Sequence, residues 1–421
     1  MARPFLFYGW IIVAFTFVLQ FVVVGLSYYA FGVYLKPMTE VLETDRFSVA
    51  LTLSFQSILV AVLSPVAGRA FARFDVRWLL TLGAGCLAVG FALLSKVTAL
   101  WHLYLLYGGV VGVGLVLLGT IPCNMLLANW FAQRRGTAMG ISQFGITISA
   151  TVLVPVVTWL LLTYGWQTSF VVCGVASAII LVPVIWLFAV RSPEDMGLHP
   201  DGRSTPLAPE PFDGVQWTFM RAVGNRDFWF IALTMGPCFM GIASVVLAMP
   251  SHATDLGLTA MQASSVVAVT TFMGALAKPT FGILADHFNQ RVVVASAILL
   301  QASGVSVLLF ATDQLSLSAG GFLFGLGYGG MAPLWSILIA ERFGRVAFAS
   351  AMGAMMPMIM PFNLVGLPLA TLIFDTTGTY LPVFYVHLVG YLLALIAVSL
   401  LRINPRTKAG ADPEAQPEPS R

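Results

Sequence analysis

The group most out of place in this chain is one ammonium. Lys278 sits inside GALAKPTFGILADHFNQR, residues 274–291, at the end of an apolar run that begins near Val266. No acidic residue stands within a helical turn of it, and a polar knot of Asp286, His287, Asn289, Gln290 and Arg291 starts eight residues later. A lysine in the middle of a membrane helix costs about 2.5–3.5 kcal/mol on insertion scales, so it marks a functional site by default. One fixed positive charge suits one negative charge, which favours a small organic anion with a single carboxylate over a dicarboxylate. Tyr28, Tyr29, Gln143, Tyr328 and Asn363 are further candidates to hydrogen-bond such a carboxylate. Helix–helix bonds use the same side chains, so each of these is an even choice between binding and packing. Gln20 and Gln56 are weaker candidates, and His387 reads as a packing or lipid-edge residue.

The elements that hold these groups are membrane helices. Of 421 residues 58% are hydrophobic and 9% charged, with mean hydropathy +0.90. A soluble domain carries about a quarter charged residues, so this chain cannot coat a water-soluble surface. The net charge of +3 comes without a basic block, which excludes nucleic acid as a partner. Cys86, Cys123, Cys173 and Cys238 lie in apolar runs without metal or redox spacing. Runs of about 20 apolar residues, the length of a span, fall near 8–34, 48–70, 78–96, 101–128, 136–162 and 168–190. Six more fall near 227–250, 261–284, 292–311, 316–340, 346–372 and 380–402. This divides the chain into a first six-helix bundle (1–190), a central loop (191–226), a second bundle (227–402) and a disordered tail (403–421).

Orientation follows from the basic residues. With the N-terminus in the cytoplasm, seventeen arginines and lysines face inward and three (Lys36, Arg46, Lys96) face outward. That asymmetry predicts cytoplasmic termini. Lys278 then lies about 12 Å from the inner end of the eighth span, near the bilayer midplane. Its side chain leans toward the outer face, which opposes snorkelling inward.

The halves repeat. GRAFARFDVR (68–77) follows the second span and GILADHFNQR (282–291) the eighth, with Gly68 aligned on Gly282 and Arg77 on Arg291. PCNMLLANWFAQRRGTAMG (122–140) likewise pairs with PLWSILIAERFGRVAFASAMG (333–353). Repeats at half the chain length mean two similar bundles facing each other.

This layout resembles the major facilitator superfamily, which implies an all-α membrane fold of twelve helices in two pseudo-symmetric six-helix bundles. In that family the loop after spans two and eight reads G-x-x-x-D-R/K-x-G-x-R/K. The second copy matches at Gly282, Asp286 and Arg291. The first keeps Gly68, Arg73 and Arg77, with Ala72 at the acidic position and Asp75 at the later glycine. The resemblance implies that these residues, with Arg134, Arg135 and Arg345, gate the cytoplasmic helix ends. WFAQRRGTAMGISQFG (130–145), GLSYYAFGVYLKP (25–37) and RSPEDMGLHPDG (191–202) are similar to the monocarboxylate and oxalate/formate transporter group. In monocarboxylate transporters a basic residue, usually arginine, precedes Pro-x-x-Gly where Lys278 stands, and their aspartate one turn earlier is Gly274 here.

The expectation is therefore a secondary transporter of a monocarboxylate such as lactate, pyruvate or acetate, working by alternating access as a monomer among membrane lipids of a bacterial inner membrane. Lys278 protonated with the anion and neutral on the empty return would give proton symport. Anion exchange is the competing scheme, and export of drugs or amphipathic metabolites the alternative cargo. No nucleotide, metal-protease or nucleophile-elbow motif occurs, so neither a cofactor nor an enzyme is expected.

Overall fold

The computed structural model describes residues 7–203 and 219–401. The described residues form helices without a strand. Among the described residues ten stretches are long and apolar enough to cross a membrane. Two of them are double: the 54-residue stretch from Arg135 to Phe188 breaks at Gly165 (φ 81°), and the 64-residue stretch from Gln314 to Thr377 at Gly344 (φ 73°). At such a φ only glycine escapes a Cβ clash, so each break turns the chain between two helices. Twelve helices result: α1 Tyr8–Val41, α2 Arg46–Arg73, α3 Val76–Leu94, α4 Leu100–Trp130, α5 135–164 and α6 166–188. The second set is α7 Arg226–Asp255, α8 Ala260–His287, α9 Gln290–Phe310, α10 314–343, α11 345–377 and α12 Leu381–Leu400.

The apolar runs mark these helices to within a few residues at most ends. α1 departs most, continuing past residue 34 to Val41 in turns that bury Met38 and pair the exposed Lys36 and Glu40 at 3.9 Å. Hydropathy ends at the first charge, whereas a helix continues wherever its backbone bonds and i,i+4 pairs allow. The expected tail, 403–421, lies outside the described residues, as do residues 204–218 of the central loop.

The repeat also sets the helix starts. Asp45 caps α2 through the Ser48 amide at 2.7 Å, and Thr259, its counterpart in the second half, caps α8 through Gln262 at 3.3 Å. Asp75 caps α3 through Arg77 at 2.8 Å, and its counterpart Asn289 caps α9 through Arg291 at 3.0 Å. Each such cap contributes about 0.5–2 kcal/mol. The sequence places Asp75 in the gate; in the structure its carboxylate accepts the Arg77 amide and caps α3.

The exterior is apolar where lipid would lie, with Trp78, Leu82, Leu162, Ile179 and Leu392 well exposed. Backbone polar groups are satisfied within helices, as a spanning fold requires. The bundles meet at the end that carries the repeated loops. A methyl group added at Gly140 of α5 would stand 2.6 Å from the Lys278 carbonyl oxygen and 3.0 Å from Pro279 Cα of α8. One added at Gly353 of α11 would stand 3.3 Å from Pro65 Cα of α2 and closer still to the Ser64 carbonyl. Small residues thus let the backbones of opposite halves touch, and the loop end is closed.

Candidate functional site

α8 begins at a capping box between Thr259 and Gln262 and carries Lys278 in its second half, beside Pro279. The lysine is 8% exposed. Its Nζ donates to Thr147 Oγ1 at 2.5 Å and to the Gln143 carbonyl at 3.3 Å, both on α5 of the other half. Gln143 and Thr147 stand at i and i+4 and so share one face of α5. Among the described residues no carboxylate oxygen lies within 4.0 Å of the ammonium. It is almost wholly enclosed by protein and meets no protein acid at that distance. Nor does it turn back to the carbonyl that Pro279 frees within its own helix; it crosses to the partner half.

Gln143 is buried and belongs to a polar cluster that joins the halves. Its Nε2 lies 3.4 Å from Asn124 Oδ1 and 3.5 Å from Ser336 Oγ, and Asn124 Nδ2 donates to Ser336 Oγ at 2.7 Å. These bonds tie α4 and α5 to α10. Gln20 donates to Ser142 at 2.6 Å, and Ser142 to Thr16 at 2.9 Å, fastening α1 to α5. Thr147, Asn124 and Ser336 are not among the residues that sequence singles out. A hydroxyl or amide in an apolar run carries little signal until its partner, here 131 to 212 residues away, is known.

The candidate tyrosines lie on two helices. α1 contains a wide turn over Gly25–Tyr29, closed by the Ala30 amide on the Gly25 carbonyl at 2.9 Å. Such single π turns recur at functional sites. The turn presents Tyr28 and Tyr29, whose rings meet edge-on at 5.6 Å; Tyr28 is 50% exposed. Tyr328 stands on α10. The Tyr328 ring lies over Gly274, one turn before Lys278, where an added Cβ would stand 2.8 Å from its Cε1. The space beside Gly274 is thus filled by a tyrosine from another helix. Asn363 is exposed without a hydrogen-bond partner among the described residues and is not linked to this cluster. His387, read as packing, is buried with Nε2 2.5 Å from Ser244 Oγ.

At the loop end Asp286 of α8 caps α5 across the interface. Its carboxylate accepts the amides of Gly136 and Thr137 and the Thr137 hydroxyl, each at 2.7 Å. A carboxylate at a helix N-terminus is favourable both as acceptor and toward the helix dipole. Gly282 lies on the Gly136 backbone, which brings Asp286 within reach, and Gly68 lies likewise on Ala349. Arg135 is buried, donates to the Phe131 carbonyl at 2.7 Å and stands 3.9 Å from Glu341 of the other half. Several of the expected gate residues stay within their own halves. Arg77 donates to the Ala189 carbonyl at 2.7 Å, and the Arg134 amide lies 3.4 Å from Asp201. Arg73 is exposed and without a partner among the described residues, and the Arg291 Nε is buried without one. Arg345 pairs across the halves with Glu194 at 2.5 Å.

Residues 17–251 and 231–421 match the family model described as Major Facilitator Superfamily. Human "Monocarboxylate transporter 2" is 24% identical over 394 residues, covering 89% of this chain and 81% of that protein. Rat "Monocarboxylate transporter 13" is 26% identical, covering 90% and 85%, and the "Uncharacterized MFS-type transporter YcxA" of Bacillus subtilis is 23% identical, covering 88% and 90%. The fold is similar to the transporter FucP solved in the outward conformation, with TM-score 0.70 at 13% identity over 94% of this chain and 100% of that one. It is also similar to the proton:xylose symporter XylE, with TM-score 0.72 at 14% identity over 94% and 96%. This chain is a multi-pass integral membrane protein and belongs to the major facilitator superfamily.

Proposed function

We propose that this transporter carries a small organic anion with one carboxylate, of the lactate, pyruvate or acetate class, and that Lys278 binds it. The observation that carries the reading is a buried ammonium whose partners are a hydroxyl and a carbonyl. Neutral acceptors satisfy its N–H groups but leave its charge uncancelled, and an uncancelled charge in a low-dielectric bundle favours an anionic guest. Relatives named monocarboxylate transporters support the same cargo. Tyr28, Tyr29 and Tyr328 would complete the site with hydroxyls, and Gln143 and Asn363 are assigned supporting roles.

In this reading residues 1–190 and 227–402 rock about the site, linked by 191–226. The bias of basic residues supports a cytoplasmic loop end and cytoplasmic termini, in what we take to be a bacterial inner membrane. The described conformation is then closed on the cytoplasmic side. Lys278 would bind the anion as an ammonium and return neutral, giving proton symport. The test is uptake of labelled lactate, pyruvate and acetate into proteoliposomes. An inward proton gradient should drive accumulation of at least one of them. Uptake driven by internal substrate and indifferent to that gradient would replace symport by exchange. Transport of none of the three, with resistance to amphipathic drugs in cells, would replace the anion by the alternative cargo.

A further inference from the structure

The ammonium of Lys278 has three N–H donors, and the structure accounts for two. Thr147 Oγ1 takes one at 2.5 Å and the Gln143 carbonyl another at 3.3 Å. Both acceptors come from one turn of α5, and that turn reaches the lysine because Gly140, one turn earlier, lets α5 lie on the Lys278–Pro279 backbone. The lysine stem has four rotatable bonds, and ordering such a chain is entropically unfavourable. In a site that left the ammonium free, that ordering would have to accompany binding and would weaken it. We propose that Thr147 is the positioning residue of this carrier: its hydroxyl holds the Lys278 ammonium in place before the anion arrives and leaves one donor for the carboxylate. The inference rests on the anion reading above and adds to it a residue on the opposite half. It also makes the ammonium a bond between the halves, so the α5–α8 contact and the anion site are parts of one unit.

The experiment is lactate, pyruvate and acetate uptake by Thr147→Val, Thr147→Ser and Lys278→Ala in proteoliposomes. A hydrogen bond to a charged group changes an equilibrium by about tenfold or more, so Thr147→Val should raise KM by about that factor while the maximal rate stays within about twofold. Thr147→Ser should restore KM, a rescue that mere helix packing would not produce. Thr147→Ala serves as the second hydroxyl-free variant, with thermal unfolding of each protein showing that it is folded. A parent-like KM in a folded hydroxyl-free variant, while Lys278→Ala has lost uptake, would overturn the role of Thr147 and leave the anion reading standing. Parent-like uptake by Lys278→Ala would overturn the anion reading itself.

A second observation is independent of cargo. Asp286 bridges the halves at the second loop, but its counterpart in the first loop is Ala72, which has no carboxylate. The Ala72 carbonyl is instead held by Arg191 at 2.9 Å. Just beyond that arginine, Glu194 reaches Arg345 at the start of α11 at 2.5 Å. The segment around it is fixed to the first half: Trp130 donates to the Val190 carbonyl at 3.0 Å, Asn129 to that of Arg191 at 3.1 Å, and the Asp201 carboxylate accepts the amides of Ala132 and Gln133 at 3.0 and 2.8 Å. Burial pushes the Glu194 carboxyl up, and the Arg345 hydrogen bond and charge more than reverse this, leaving it below the usual range. The geometry points to Glu194 as the clasp that replaces the missing acid of the first loop. Spin labels at the exposed pair Phe74 and Phe288 would read the separation of the two loop ends. Exposed ion pairs are weak, so Glu194→Gln and Arg345→Gln should each shift the closed-to-open ratio toward open by about two- to fivefold. The exchange Glu194→Arg with Arg345→Glu should restore it. An unchanged ratio in the single variants, or an exchange no better than the combined effect of its parts, would overturn the clasp.

Discussion

At one contact between the halves, Gly68 of α2 lies on Ala349 of α11, and Gly353 of α11 on Ser64 and Pro65 of α2. At the other, Gly282 of α8 lies on Gly136 of α5, and Gly140 of α5 on Lys278 and Pro279 of α8. The repeat maps the first contact onto the second: Gly68 aligns with Gly282 and Ser64 with Lys278 in one pair of matching stretches, and Gly140 aligns with Gly353 in the other. The backbone scaffold is thus duplicated and the side-chain chemistry is not. Where one contact holds the ammonium of Lys278, the other holds the Ser64 hydroxyl, which donates within its own helix to the Val60 carbonyl at 2.5 Å. Where one has Asp286 capping the facing helix, the other has Ala72. Duplication supplies two similar contacts, and one of them carries the buried ammonium and the capping carboxylate.

This comparison orders the expected effects. The largest is Lys278→Ala, which should lower kcat/KM for anion uptake at least about 30-fold, the lower end of the cost of truncating one partner of a buried charge pair. Gly140→Val and Gly353→Val come next and should resemble each other. Overpacking costs about 1–3 kcal/mol, and backbone faces both sites, so each variant should open the loop end as read by labels on Phe74 and Phe288. Unequal effects would break the equivalence of the two contacts. Asp286→Ala should cost about 0.5–2 kcal/mol of the same closed state, as loss of a helix cap does. The smallest effect belongs to Ser64→Ala. Removing a hydroxyl bonded within its own helix should leave uptake within about twofold of the parent.

The scaffold is readable in the sequence for physical reasons. Lipid demands runs of apolar residues, so α2 to α12 stand out, and a cation inside such a run is conspicuous for the same reason. The repeat between the halves marks the loops. What escapes a reading of sequence is partnership. Asp75 looks like a displaced gate acid, and only its bond to the Arg77 amide shows that it caps α3. Asp or Asn immediately before an apolar run, repeated at Asn289, is the available signal. Asp286 is recognisable as a gate residue, yet its bonds to the first amides of α5 depend on how the halves dock. Thr147 carries no signal at all, because a threonine in a membrane helix usually bonds its own backbone. Gln143 touches the lysine through its carbonyl and Tyr328 lies over Gly274 one turn before it, Tyr28 and Tyr29 meet each other in the wide turn of α1, and Asn363, nominated by residue type alone, stands apart.

The central claim is that the charge of one buried ammonium selects the cargo, and charge can be varied on the guest with little change of shape. The most direct measurement is binding of lactate and of its neutral amide, lactamide, to purified parent and Lys278→Gln proteins by calorimetry. The account predicts saturable binding of lactate to the parent only, with lactamide bound by neither. Equal binding of the acid and the amide, or lactate binding that survives Lys278→Gln unchanged, would contradict it.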